Sequence, residues 1–297
     1  MKQLITILGV LSGSTAAIFV RWSTAPSIVL VAYRMGITAL LLFPSVFLHR
    51  KELFSAQRKA LLLSLGGGCI LGLHFAAFFR ALRMTSINIC TVLANLTVIF
   101  VAFGTTLVFR QRLSRRAWFA IFIALAGAVM VTFSSEGTGI RSLSGCLLAV
   151  LAALFLAIYT MVGSICRKFL STTLYTFLAY SAAAVTATLL CLASRTPLTG
   201  HAPINWLTAL GMAVFCTLLG HSVVSWSLKY LPAPFVSTVQ LLDSVFSTLW
   251  GMLLFCEIPS ITALLGGALC ILGIALYSQL TMNKETISYE NDHSNHK

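Results

Sequence analysis

Charged side chains are scarce in this sequence, and acidic ones most of all. Only 9% of the 297 residues are charged, and only seven are Asp or Glu, whereas 58% are hydrophobic and the mean hydropathy is +0.94. Soluble domains usually carry about 25% charged residues, so a soluble fold is excluded. The formal charge of +13 does not indicate nucleic-acid binding, because the basic residues cluster in short gaps between apolar runs, as membrane orientation predicts.

Motifs that hold nucleotides or metals are missing as well. No GxxxxGK[ST] run occurs, which excludes ATP hydrolysis through a P-loop, and the eight cysteines show no CxxC or Cys/His ligand spacing. Of the seven acidic residues, only Asp243 lies deep in an apolar run, too few for a catalytic cluster. We expect no enzymatic activity, no cofactor and no metal site. A membrane-embedded lipid-modifying enzyme and a non-transporting membrane subunit are the alternatives.

Ten apolar runs approach the length of about 20 residues that a helix needs to cross a bilayer. The expected spans are 4–20, 28–48, 60–80, 86–109, 117–134, 143–163, 173–193, 205–226, 233–256 and 260–280. The first is interpreted as an uncleaved helix rather than a signal peptide, because further spans follow at once. The fold class is therefore an all-α integral membrane protein with ten transmembrane helices, followed by a polar, disordered tail at 283–297.

The Lys and Arg residues predict the orientation of these spans. If the N-terminus is cytoplasmic, fourteen of the twenty basic residues fall in inner gaps, five (Arg21, Arg80, Arg83, Arg141 and Arg195) fall in outer gaps, and Arg34 lies inside a span. Cytoplasmic loops carry such an excess of basic residues. We therefore expect a multi-pass protein of the inner or plasma membrane with both termini in the cytoplasm.

The chain also repeats itself. A shift of 146 residues aligns the two halves without a gap and pairs Phe100 with Phe246 and Gly127 with Gly273. Each half holds five spans, an odd number, so the second half must enter the membrane inverted relative to the first. We place the first repeat at 1–139 and the second at 140–282. Inverted repeats characterise secondary transporters, whose binding site lies near the midplane between the repeats.

Several short motifs resemble the EamA family of the drug/metabolite transporter superfamily. They are the arginine of LVAYRMGITALLL (Arg34), the ALRMTSI and SLKYLPA runs after the third and eighth spans, and the glutamate of FCEIPS (Glu257). The chain departs from the family where the first repeat has Arg110-Gln111 in place of a Gly-Glu pair. It departs again where Val98 and Ser244 replace the family's usual proline. The resemblance implies a ten-helix carrier of small metabolites, often an exporter of amino acids or related compounds.

Asp243 is the strongest candidate site residue. A charge at the centre of a lipid-facing helix costs about 2.5–3.5 kcal/mol, so an acid there is functional by default. It lies on a stripe with Gln240, Ser244, Ser247 and Gly251 at helical spacing. It can carry a proton or bind a substrate ammonium. Its counterpart in the first repeat is the neutral Thr97. A binding site at the midplane would therefore contain a single carboxylate, from the second repeat.

The other candidates each have a structural alternative. Asn95 can hydrogen-bond a zwitterion or a neighbouring helix. Arg34 can bind a substrate carboxylate, pair with Asp243, snorkel to the outer interface, or serve as a buried anchor for carbonyls at helix ends. His221 can relay protons or simply pack. Tyr159 and Trp226 can line a cavity, although aromatic residues are common in any apolar bundle.

We therefore expect a secondary transporter that moves a small amphipathic metabolite by alternating access, with export as the expected direction. Its partners would be a small-molecule substrate, the lipid bilayer and, as a candidate coupling ion, the proton. Nucleic acid is not expected as a partner, and the carrier is expected to be a monomer or a homodimer.

Overall fold

The structure is a computed structural model that describes residues 1–82, 84–85, 87–133, 142–256 and 258–294. Within these ranges the chain is helical, with turns between the helices and no strand. The helices are α1 (Lys2–Gly13), α2 (Ala16–Trp22), α3 (Ser27–Leu48), α4 (Arg50–Ser55), α5 (Arg58–Leu82), α6 (Ile87–Ala94), α7 (Thr97–Val108), α8 (Arg115–Phe133), α9 (Leu143–Cys166), α10 (Thr172–Ala193), α11 (Ile204–Gly211), a π-helix (Met212–His221), α12 (Ser222–Ser227), α13 (Ala233–Val239), α14 (Leu242–Phe255) and α15 (Ile261–Ser294).

In the described part of the chain, nine helical stretches are long and apolar enough to cross a membrane. A tenth segment, Ala233 to Phe255, consists of α13 and α14, and neither helix alone has the required length. Together they cover about 35 Å at 1.5 Å per residue, enough for one crossing. The order of the ten segments is that expected from hydropathy. Whereas the sequence predicts a disordered tail from 283, the backbone of α15 continues as a helix through Ser294.

The fourth and ninth spans are interrupted at almost equivalent positions of the two repeats. One turn at Asn95 and Leu96 separates α6 from α7, and one at Gln240 and Leu241 separates α13 from α14. Tightened i to i+3 hydrogen bonds run through both turns, for example from Leu96 N to Leu93 O over 3.2 Å. Neither turn contains a proline. We call these turns the Asn95 break and the Gln240 break.

The fifth helices of the two halves pack on each other through reciprocal glycine contacts. A Cβ at Gly127 of α8 would collide with the backbone nitrogen of Cys270 of α15, and a Cβ at Gly273 of α15 would collide with that of Ala124 of α8. The repeat offset of 146 residues relates Gly127 to Gly273 and Ala124 to Cys270, so the two contacts are equivalent in the two halves. Because Gly266 of α15 meets residues further along α8, the two helices are antiparallel. An inverted pair of repeats related by a two-fold axis produces this arrangement.

One end of the bundle gathers the expected inner gaps, and we call it the basic face. The Glu52 carboxylate, after the second span, accepts a hydrogen bond from Ser171 N, before the seventh, over 2.6 Å. The Lys2 ammonium lies 5.1 Å above the ring of Tyr230, which follows the eighth span. The basic face therefore joins the gaps that the Lys and Arg count assigns to one side.

The opposite end gathers the outer gaps. Asn205, fully buried at the start of the eighth span, accepts hydrogen bonds from the backbone nitrogens of Thr24 (2.8 Å) and Ala25 (3.0 Å). Tyr33 of the second span stacks on Trp206 with ring centroids 4.0 Å apart. Glu257 and the outer-gap arginines at 83 and 141 lie outside the described residues. The described gaps alternate between two faces, as a serpentine membrane protein requires.

Candidate functional site

Arg34 lies inside the bundle, and only 3% of its surface is exposed. Its Nε donates a hydrogen bond to Thr217 Oγ1 over 2.7 Å, and its Cζ lies 5.3 Å from the centroid of the Phe75 ring. Its Nη2 is buried and has no hydrogen-bond partner. The sequence leaves a carbonyl-anchoring role open for Arg34. The observed hydrogen bond goes to a hydroxyl instead, so one planar edge of the guanidinium remains available to an acceptor.

Thr217 lies on the π-helix, a wide-turn segment of the eighth span. Its hydroxyl accepts from Arg34 and donates to Met212 O, five residues back, over 3.1 Å. Such segments are rare and often occur at functional sites. The sequence MAVFCTLLGH carries no signal for a π-helix, and Thr217 is not among the expected site residues. A contact between the second and eighth spans defines its role, and no local pattern reveals such a contact.

Asp243 lies in the first turn of α14, directly after the Gln240 break. The residue is exposed to a water-sized probe, so it is not part of the packed core. Its carboxylate has no hydrogen bond and no ion pair with any described residue. The expected stripe on one ideal helix is divided by the break, which separates Gln240 from Asp243, Ser244, Ser247 and Gly251.

Arg34 and Asp243, the two charged residues expected inside spans, are not paired with each other. No N–O contact within 4.0 Å joins them: Arg34 bonds Thr217 on the π-helix, whereas Asp243 lies in the first turn of α14. Cys216 is fully buried and packs against Thr15 at the end of the α1–α2 turn, with a sulfur-to-hydroxyl distance of 3.4 Å. The first span connects the two regions, because α1 contacts both α14 and the π-helix, and the π-helix in turn contacts α3, which carries Arg34.

Two histidines lie next to the arginine. His221 ends the π-helix, its ring is 6.2 Å from the Phe75 ring, and it has no hydrogen-bond partner among the described residues. His74 contacts Ala152 O through Nδ1 at 2.9 Å. Because a carbonyl only accepts, that Nδ1 must carry the proton. The Phe75 ring centroid is 5.0 Å from that of His74 and 5.3 Å from Arg34 Cζ. The structure therefore groups Arg34, His74 and His221 around Phe75.

The amide side chains at the two breaks, Asn95 and Gln240, lack hydrogen-bond partners among the described residues, whereas the nearby hydroxyl of Thr97 has them. Asn95 Nδ2 is buried without a partner, and Gln240 is half-buried with no side-chain hydrogen bond to a described residue. Thr97, the counterpart of Asp243, donates to Ala94 O (2.8 Å) or Ala153 O (3.1 Å) and so has a packing role. At this position one repeat has a hydroxyl with hydrogen-bond partners, and the other has a carboxylate with none among the described residues.

The two aromatic candidates lie in packed surroundings. Tyr159 is buried, its hydroxyl is 3.4 Å from Ser225 Oγ, and its ring stacks on Tyr175 at 6.2 Å. Trp226 packs against Tyr230, four residues later, at the basic face, with ring centroids 4.8 Å apart. Neither contact points to a ligand, so the stronger candidates are Arg34 and Asp243.

Within the described residues, no three His, Cys, Asp or Glu side chains lie close enough together to hold a metal ion. Two cavities, of about 450 and 430 Å³, lie toward the basic face, and neither is lined by Arg34 or Asp243. The arrangement around the two charges is suited to binding, since it offers a guanidinium edge, a carboxylate and two amides. It does not bring together a nucleophile and a base in a described hydrogen bond.

Comparison with known proteins shows that the chain is similar to transporters. The model of the EamA-like transporter family matches residues 2–133 and 143–279. The Pseudopaline exporter CntI of Pseudomonas aeruginosa is 23% identical over 261 residues, which cover 86% of this chain and 88% of that protein. The Uncharacterized transporter YwfM of Bacillus subtilis is 25% identical over 218 residues, 70% of each protein. A solved crystal structure with 17% identity has a TM-score of 0.80 and covers 95% of this chain and 98% of its own, which shows a shared fold.

Proposed function

Because this chain belongs to the EamA-like transporter family, we propose that it exports a small zwitterionic metabolite, an amino acid or a related amphipathic compound, by alternating access. Its family and its similar proteins are transporters, and a transport role without catalysis accounts for the site. The proposed location is the inner or plasma membrane with both termini in the cytoplasm. The basic face would then be the cytoplasmic one.

The observation that carries the proposal is the separation of Arg34 from Asp243. A buried guanidinium nitrogen without an acceptor is unfavourable, and so is a carboxylate within a membrane span unless something binds it. A zwitterion would satisfy both, with its carboxylate on the guanidinium edge and its ammonium on Asp243. The unpartnered amide of Asn95 offers a further donor.

The two breaks support alternating access. Transporters built from inverted repeats hold their substrate near interrupted helices at the midplane and rock one bundle against the other. The Asn95 break lies eight residues after Ile87 and the Gln240 break seven after Ala233, or about 10–12 Å from the start of each span and therefore inside a hydrocarbon core of about 30 Å. Residues at both breaks would therefore move relative to each other when access changes sides.

Export is the direction supported by the similar Pseudomonas aeruginosa protein, which is described as an exporter. The proton is the proposed coupling ion, since Asp243 can be loaded from one side and released to the other. In the coupled cycle, a proton on Asp243 and the substrate ammonium would compete for the same carboxylate, which links their movements in opposite directions.

A thermal-shift screen of the purified carrier against metabolites tests the substrate class, because a ligand of the folded state raises the melting temperature. Phenylalanine, phenethylamine and 3-phenylpropionate form a matched series that carries both charges, only the ammonium or only the carboxylate. We expect zwitterions to stabilise the carrier most. Equal stabilisation by all three compounds would contradict the zwitterion assignment. The assignment would also be wrong if other metabolites stabilise the carrier and no zwitterion of a broad set does.

A further inference from the structure

The larger cavity opens at the basic face, away from Arg34 and Asp243. It measures about 450 Å³ and brings together the ends of the fourth, sixth and eighth spans. Three basic side chains line it, one from each of these ends: Arg112, Lys168 and Lys229. All three are exposed, and no acidic residue lies among the described lining residues. Such a cavity holds a concentrated positive charge without a counterion.

The wall of the same cavity contains a buried polar group without a partner. Thr105, only 4% exposed, lines the cavity, and its Oγ1 forms no hydrogen bond. Most other span hydroxyls are satisfied by a carbonyl one turn back, as Thr106 is by Ala102 O over 3.1 Å. A buried unsatisfied hydroxyl is unfavourable by about 1–3 kcal/mol. An acceptor oxygen in the cavity would satisfy it.

An apolar groove continues from this cavity along the outside of the bundle. It measures about 430 Å³ and is lined by Phe103, Thr106, Trp118 and Phe122, and it shares Arg112 and Leu113 with the cavity. Phe103 and Phe122 are more than half exposed on membrane-spanning helices, where the surrounding solvent is lipid. Trp118 lies one turn from the start of α8, at the depth of the interfacial aromatic belt. Arg112 thus stands where a charged cavity meets an acyl-chain groove.

We propose that this cavity and groove form a binding site for one anionic phospholipid of the leaflet at the basic face. The phosphate group lies among Arg112, Lys168 and Lys229, and one acyl chain follows the groove past Trp118. Basic pockets between membrane helices recognise lipid headgroups in this way. The groove favours a lipid over a free phosphate ester, because a free ester has no acyl chain to occupy it. The bound lipid would join span ends from both repeats, so it would affect their relative movement.

Native mass spectrometry of the full-length carrier tests the site, with phosphatidylglycerol, phosphatidylcholine and glycerol 3-phosphate as probes. We expect phosphatidylglycerol to bind roughly tenfold or more tightly than phosphatidylcholine, and glycerol 3-phosphate to bind much more weakly than either. The combined variant Arg112→Gln, Lys168→Gln, Lys229→Gln should lose this preference. The matched control Lys51→Gln, Arg115→Gln, Arg116→Gln removes the same charge from exposed residues that do not line the cavity, and it should keep the preference.

A second pair of variants separates the lipid from a free anion. Trp118→Ala should weaken phosphatidylglycerol binding, whereas Phe119→Ala, at the neighbouring exposed position outside the groove, should not. Equal binding of the two phospholipids, or equal losses in the cavity variant and its control, would overturn the site. If glycerol 3-phosphate binds as tightly as phosphatidylglycerol and Trp118→Ala changes neither, the cavity takes a free phosphate ester and the lipid assignment is wrong. All readouts are of lipid binding, so they are independent of the proposed transport of a zwitterion.

Discussion

Arg34 and Thr217 are joined by a hydrogen bond of 2.7 Å from the guanidinium Nε to the threonine Oγ1. The same hydroxyl donates to Met212 O within the π-helix. One side chain therefore fixes both the direction of a buried charge and the wide turn of the eighth span. This bond connects the two spans whose relative position decides where the free edge of Arg34 points.

Thr217→Val should weaken binding of carboxylate ligands, because it leaves Arg34 Nε buried without an acceptor and frees the guanidinium to turn. Losing a hydrogen bond to a charged group typically changes a free energy by about 1.5–3 kcal/mol, so we expect a fall in affinity of roughly tenfold or more. Affinity is measured by isothermal calorimetry with the best zwitterion from the screen.

Thr217→Ser is the matched control for this prediction, since it keeps the hydroxyl and removes only a methyl group. It should bind close to the unchanged protein. If Val and Ser variants bind carboxylate ligands equally well, or if Thr217→Val weakens phenethylamine and phenylpropionate to the same degree, the hydroxyl does not position Arg34 for a carboxylate.

Asp243→Asn should abolish proton-driven transport and weaken binding of the substrate ammonium, because it removes both the group that takes up the proton and its negative charge. The amide has nearly the shape of the carboxylate but cannot take up and release a proton, so a pH gradient should no longer drive transport. The measurement is substrate-dependent acidification or alkalinisation of proteoliposomes that contain a pH-sensitive dye, with and without an imposed gradient.

Asp243→Glu retains the titratable group and should keep part of the coupling, even if the longer side chain lowers the rate. A gradient that still drives transport in Asp243→Asn would show that protons are carried elsewhere. His221 would then be the next residue to change, because its ring lies near Arg34 and has no hydrogen bond to a described residue.

The apolar spans were predictable because about 20 consecutive hydrophobic residues have few stable positions other than a bilayer. Asp243 and Arg34 were predictable as candidates because a charge inside such a run is costly wherever it is not used. The Asn95 break and the π-helix were not predictable, since neither segment contains proline and the glycine of the π-helix, Gly220, lies at its end rather than at Thr217. Those irregularities are stabilised by contacts between distant spans.

Thr217 and Thr105 illustrate the same limit. Threonine is common in membrane helices and usually bonds a carbonyl of its own helix, so its sequence position carries no functional signal. Only the structure reveals that one of these hydroxyls holds Arg34 and that the other has no partner in the wall of a basic cavity. Trp226, by contrast, is a candidate cavity-lining residue in the sequence, and in the structure it lies against Tyr230 at the basic face.

The indole Nε1 of Trp250 donates to Ser14 Oγ over 2.9 Å and so joins the ninth span to the turn between α1 and α2. Hydrogen bonds between membrane helices average only about 0.6 kcal/mol, so a single variant will shift stability little. A double-mutant cycle of Trp250→Phe and Ser14→Ala isolates the bond from changes in packing. We expect a coupling free energy of about that size in chemical unfolding from mixed micelles, and additive effects would show that the bond contributes nothing.

Gly68 lies where α5 crosses α10, and a Cβ there would collide with the carbonyl oxygen of Ala179 and lie 2.7 Å from its Cα. Gly68→Ala should therefore push the third and seventh spans apart and lower stability by about 1–3 kcal/mol. At Gly66, two residues earlier on the same helix, a Cβ would meet no neighbouring side chain or helix within 4 Å. Gly66→Ala should be neutral or stabilising by up to about 1 kcal/mol, because alanine favours the helix. The melting temperature of each variant in the same detergent decides the matter: equal shifts would mean that helix propensity rather than close packing controls this crossing.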